Sequence, residues 1–156
     1  MHSGRISIVD TDGIRRTLLD GLPSATNDVN EASGPAGLVI RGRTRYVAIG
    51  IGDTILPLAP GSPFRVGNPN PASPIFSSIR AVHFSAHVEK TSAGFFLTAA
   101  DYDALADGDT VKLPNGGGDK ITIELVPNFA DYVSNPLPTA PNNVQGSKSI
   151  RSGAHR

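Results

Sequence analysis

The sequence predicts a mainly β protein: a small antiparallel β-sandwich or barrel with one short helix and extended Gly/Pro-rich loops and termini. Three observations point there. Apolar and polar residues alternate over short runs such as Ile79–Lys90, the period of a strand with one buried face. Asp-Gly and glycine-rich steps punctuate those runs as hairpin turns do. Helix signals are thin except after Thr98, where a cap and a stop flank one short segment.

Ile6 and Ile8 begin a first strand, and Asp10-Thr-Asp-Gly13 turns it back into Ile14–Leu19, because glycine accepts positive φ without steric cost. From Asp20 to Gly37 the residues are mostly Gly, Pro, Ser, Asn, Asp and Glu with little periodicity. Such text buries too little apolar area to offset backbone ordering, so an exposed loop 20–37 is expected. Leu38–Ile40 and Tyr46–Ile51 read as strands around Arg41–Thr44. Thr54–Leu58 reads as a third, whose Pro57 removes a ladder amide and sets it at an edge or end. Five prolines between Ala59 and Pro74 predict a Pro-rich surface arm or linker, 59–74.

Ile79–Val126 carries the most mutually supporting signals. Val82, Phe84, Ala86 and Val88 form the side expected to be buried, with Arg80 sharing their parity at the strand's end. Ala81, His83, Ser85, His87 and Glu89 form the side expected to face water. After the turn Thr91–Gly94 and the apolar Phe95–Leu97, Thr98 caps a helix over Ala99–Ala106, with Asp101 as a short capping-box partner and Gly108 as the stop. Thr110–Leu113 and Lys120–Val126 pair as a hairpin around Pro114–Gly118, and Phe129, Tyr132 and Val133 follow as an apolar island. A single β-rich domain is thus expected over 1–133, with 134–156 an extended C-terminal tail bearing Lys148, Arg151 and Arg156 and no acidic residue.

A chain of 156 residues suits one domain, and 17 Gly with 13 Pro imply a modest core carrying long connections. The 14 basic and 14 acidic side chains balance, which argues against a surface built for nucleic acid. With no cysteine, neither a disulfide framework nor a thiolate metal site can form. The apolar runs fall far short of the ~20 residues that cross a bilayer, and the first residues lack the apolar segment of a signal peptide. No membrane partner and synthesis in a cytoplasm are the expectations.

Chemistry-bearing patterns are sparse. His83 and His87 on a strand stand ~13 Å apart, too far to share one ion. Asp10-Thr-Asp-Gly13 and Asp107-Gly-Asp109 are fragments of calcium loops without the further spaced carboxylates, and turn chemistry explains both. No Gly-x-Ser-x-Gly and no phosphate-loop motif occurs, and Gly116–Gly118 lacks a strand-to-helix setting. No catalytic, cofactor or metal residues are therefore assigned, and an enzyme is not expected. Arg41, Arg43 and Arg45 are the densest positive cluster; on an extended chain they project from one side about 6.6 Å apart, suited to carboxylates or phosphates. The plainer alternative, which the sequence favours, is a hairpin tip kept soluble by charge. With Lys148 and Arg151 these arginines are the candidate partner-binding residues.

Few aromatics, no Cys, no Trp, abundant Gly, Ala, Pro, Asn and Thr, and a β module with extended ends give the chain a general look. In that look it resembles bacteriophage virion proteins, capsid cement or decoration proteins and small tail components, over the whole chain but without a diagnostic motif. The resemblance implies residence in a virion, other virion proteins as partners (the major capsid protein or tail subunits), no cofactor, and a homo-oligomer such as a trimer. Its arms, 20–37, 59–74 and the tail from Ser134, would lie along neighbouring subunits. The alternative is a carbohydrate- or ligand-binding β-sandwich, which needs exposed aromatic platforms from Phe64, Phe76, Phe84, Phe95, Phe96, Phe129, Tyr46, Tyr102 or Tyr132. A nucleic-acid accessory role rests on the arginines and tail alone.

Overall fold

Residues 4–26, 32–50, 55–59, 61–85, 87, 90–91 and 93–128 are described by the computed structural model. They form a mainly β structure with antiparallel sheets and a single short α-helix, as the alternation predicts. The larger sheet has the order β11 (Val111–Pro114), β12 (Lys120–Asn128), β9 (Ser78–Phe84), β6 (Thr44–Ile49), β5 (Pro35–Arg41), and every neighbouring pair in it is antiparallel. A smaller sheet joins β1 (Gly4–Val9) to β2 (Arg15–Leu22) and adds β10 (Phe95–Phe96) in parallel. Among the described residues two ribbons pair only with themselves: β3 (Ala25–Thr26) with β4 (Ala32–Ser33), and β7 (Ile55–Pro57) with β8 (Arg65–Gly67). No helix among the described residues is long and apolar enough to cross a membrane.

Local chemistry sets the turns. The Asp10 carboxylate accepts the amides of Asp12 and Ile14 and so holds the first hairpin closed, with Gly13 at φ +80°. Thr98 and Asp101 make a full capping box at the start of α1 (Ala99–Ala106), each side chain accepting the other's backbone amide. Asn115 accepts the amides of Gly117 and Asp119 and shapes the last loop.

The two sheets share one apolar core. Leu18, Leu19, Leu22, Phe95 and Leu97 from the small sheet and its continuation meet Val47, Ile49, Val82, Phe84, Ile121 and Ile123 of the large one. Phe84 and Phe95 pack edge to face at 6.0 Å between ring centres, a favoured aromatic geometry.

The central strand departs from the expected alternation. β9 ends at Phe84; His87 lies beyond it, and Ala86, Val88 and Glu89 fall outside the described residues. Ala81, expected to face water, is buried: it is small and flanked in register by Tyr46 and Glu124. Arg80, expected at a strand end, is wholly buried. Its Nη2 donates to the Ile75 carbonyl at 2.7 Å, while Nε and Nη1 have no partner among the described residues. Burial pushes its pKa down to about 10, with the nearby Tyr102 opposing, so the group is still a cation at neutral pH.

Two stretches expected to be exposed, 20–37 and 59–74, also carry short strands and a few buried residues. Within 20–37, β2 runs on through Gly21 and the buried Leu22, β5 begins at Pro35, and a short ribbon lies between; residues 27–31 fall outside the described set. Strand pairing, which low apolar content alone does not reveal, orders this segment. Within 59–74, the ribbon β7–β8 is followed by a turn that sends Ala72 into the core, with Ile75 and Phe76 just behind it. Prolines there shape an entry to the core through a 3₁₀ turn, Ser73–Ile75, with Pro near its start. Pro57 ends β7, in keeping with its missing amide.

The sheets are stitched at Gly21. Leu97 donates its amide to Asp20 at 3.1 Å, Gly21 sits at φ +76°, and a Cβ there would lie 2.3 Å from the Leu97 carbonyl oxygen. The Tyr102 hydroxyl donates to the Gly21 carbonyl; burial raises its pKa, with the Arg80 cation opposing, which favours this protonated donor. Gly21→Ala is therefore expected to lose about 2–4 kcal/mol, from positive φ and overpacking together, measured by urea unfolding. Arg80→Met keeps an apolar stem and removes an uncompensated cation, while Ser78 Oγ still donates to the Ile75 carbonyl at 2.7 Å. It is expected to stabilise by about 1–3 kcal/mol, and a lower melting temperature would show that the charge is needed.

Candidate functional site: an exposed hairpin, edge and ribbon

The arginine cluster sits where β5 turns into β6. Arg41 and Thr44 pair across the two-residue turn Gly42-Arg43, with Gly42 at φ +58° in the first central position, the conformation such hairpins ask of glycine. That reversal corrects the expectation of three arginines projecting from one side. Arg41 shares the sheet face of its partner Thr44, Arg45 shares the opposite face with Val47 and Ile49, and Arg43 is in the turn itself. Arg45 is partly buried: its Nη1 donates to the Gly42 carbonyl at 3.0 Å and its guanidinium lies 5.1 Å from the Phe84 ring centre. Arg43 donates to the Ser85 carbonyl at 3.3 Å. The tip is thus a charged hairpin end in which one arginine is spent on packing. Lys148 and Arg151 lie outside the described residues.

On the face opposite the core, three strands align Thr44, His83 and Glu124. Thr44 Oγ1 is 2.9 Å from His83 Nδ1, and His83 Nε2 is 3.1 Å from Glu124 Oε1. With the proton on Nε2 given to Glu124, Nδ1 accepts the threonine hydroxyl. The order hydroxyl, imidazole, carboxylate is that of a nucleophile and its base. The Thr44 backbone pairs with Arg41 across the hairpin, so its hydroxyl is held at the edge of the turn. The two contacts link β6, β9 and β12 on this face. Among the described residues no group of three or more His, Cys, Asp or Glu could hold a metal ion.

Exposed apolar side chains are what the sequence reading missed. Leu38, Val39 and Ile40 are 47%, 64% and 62% exposed on β5, and Leu58, Phe64 and Val66 stand out on or beside the β7–β8 ribbon. A signal was present for the first group: Leu38-Val-Ile40 does not alternate, so neither side of it is marked for burial. The aromatic platforms of a carbohydrate site are largely used up, since Phe76, Phe84 and Phe95 are core; Phe64 and Phe96 remain exposed, and Phe129 and Tyr132 fall outside the described residues.

Comparison with protein-family models, curated proteins and solved structures finds no match. Removing the stacked arginine should cost more than removing the free-standing one: Arg45→Ala is expected to destabilise by about 1 kcal/mol through the lost ring contact, and Arg41→Ala by less than about 0.5 kcal/mol. Equal losses in chemical unfolding would contradict the split drawn here.

Proposed function

We propose that this chain is a structural virion protein of a bacteriophage, of the capsid decoration type, made in the host cytoplasm and acting on the assembled particle. The observation that best supports this is the ribbon β7–β8, which among the described residues pairs with neither sheet and carries Leu58, Phe64 and Val66 to the surface. A two-stranded ribbon alone is marginal in water, and its apolar side chains gain by lying on a neighbour. In this reading the compact β module supplies rigidity, and the ribbon, with the tail from Ser134, grips the major capsid protein.

The mechanism is linkage. A protein that binds only the assembled lattice adds its binding free energy to that state, and many copies on one shell add up. A small tail component uses the same surfaces on a different lattice, and the particle that retains the protein separates the two.

The test uses shells lacking the protein and the purified full chain. Binding to intact shells but not to unassembled subunits is expected, together with a higher shell melting temperature. Phe64→Ser combined with Val66→Ser should weaken binding at least about tenfold, the effect of losing ~1.4 kcal/mol, and leave the protein's own melting temperature within about 2 °C, as for surface substitutions. Equal binding to unassembled subunits, or no change in shell stability, refutes the proposal.

A further inference from the structure

Among the described residues β5 ends the larger sheet and pairs with β6 alone, and all seven of its residues are exposed. Natural edges are blunted by proline, bulges and charge, and β5 has these only at its ends. Pro35 and the register shift before Gly37 guard one end, and Arg41 guards the other. Between them Leu38, Val39 and Ile40 are bare. The opposite edge differs, because β11 is four residues long and carries Lys112 and Pro114.

The backbone of this bare stretch has a fixed polarity. Phe84 donates its amide to the Arg43 carbonyl, so the odd residues of β6 turn their amides and carbonyls to β9 and the even ones turn theirs to β5. Arg41 and Val39, which face Thr44 and Tyr46, therefore spend their groups on β6. The amides and carbonyls of Leu38 and Ile40 point outward.

We propose that this edge takes β5 of a second copy, antiparallel about a two-fold axis passing between the two Val39 residues. In that register the outward groups of Leu38 meet those of Ile40 of the other copy, and the reverse, which satisfies both strands in one isologous contact. Leu38 and Ile40 share the sheet face of Val47 and Arg45, so the pairing lays aliphatic against aliphatic beside the core. Arg41 falls opposite Gly37 of the other copy, and the two arginine tips lie at opposite ends, so like charges stay apart. A parallel alignment would bring the tips together. The strand is its own complement in backbone, side chains and charge, and the contact closes at two copies, where the virion resemblance offered a trimer as one homo-oligomer. The inference goes beyond the virion reading and is tested on the isolated protein, so its failure leaves that reading standing.

The chain has no cysteine, so one introduced cysteine is its sole thiol. At the axis the two residues 39 form a non-hydrogen-bonded pair with Cα atoms ~4.5 Å apart, within reach of a disulfide. Full-length Val39→Cys is expected to oxidise to a covalent dimer at least ten times faster than Leu38→Cys or Arg41→Cys, whose counterparts are offset along the strand. By sedimentation the unaltered chain should be a dimer, and Ile40→Lys, at an exposed site, a monomer with an unchanged melting temperature; Leu38→Lys repeats the test if Ile40→Lys unfolds. A native chain that is monomeric at every concentration, a trimer that Ile40→Lys leaves intact, or equal oxidation of all three cysteine variants would overturn the proposal.

Discussion

The burial of β9 at the middle of the larger sheet is the constraint from which the rest follows. Its ladder groups are taken by β6 on one edge and β12 on the other, and its core-side residues are Ser78, Arg80, Val82 and Phe84. A strand so placed cannot leave a charge at its margin. Arg80 instead runs its apolar stem through the core and ends on the carbonyl of Ile75, which Ser78 also reaches. One carbonyl thus fixes the 3₁₀ turn, and the turn in turn seats Ile75 and Phe76.

From that centre the molecule becomes progressively less self-sufficient. The core face of β6 is filled by Val47 and Ile49, the tip is finished by Arg45 over Phe84, and β5 beyond it covers nothing. The small sheet shelters the middle of the large one, where its leucines join Val82 and Ile123, but leaves β5 bare. A sheet with one guarded edge and one open edge among the described residues has a direction built into it. The apolar ribbon adds a second outward feature at a separate place in the chain.

Much of this was legible in local chemistry. The Thr98–Asp101 box, the Asp10 turn and the β11–β12 hairpin depend on neighbours a few residues apart, and short-range rules read them directly. What stayed hidden depends on residues far apart. The parity of Arg80 placed it on the buried side and its position at a strand end, and its one acceptor, the Ile75 carbonyl five residues back, belongs to a 3₁₀ turn that periodicity does not mark. Ala81 looked solvent-facing because alternation marks a face and cannot say what covers it. The Asp20–Gly37 stretch was judged by its composition, yet Gly21 earns its place through a close approach to Leu97 that no local signal reveals. The arginines failed differently: a two-residue turn with Gly42 reverses the chain among them, and a constant spacing of two then no longer means a common side.

The parallel pairing of Leu19 with Phe95 has a consequence for how the chain comes into being. Between those partners lie all the strands from β3 to β9, so the loop that closes the small sheet contains much of the molecule, and contacts of such long sequence separation slow folding. A polypeptide leaving the ribosome N-terminus first presents Leu18, Leu19 and Leu22 on a two-stranded hairpin well before Phe95 and Leu97 are synthesised to cover them. Birth, for this chain, includes an interval in which its future interior is open to whatever protein or chaperone is nearby.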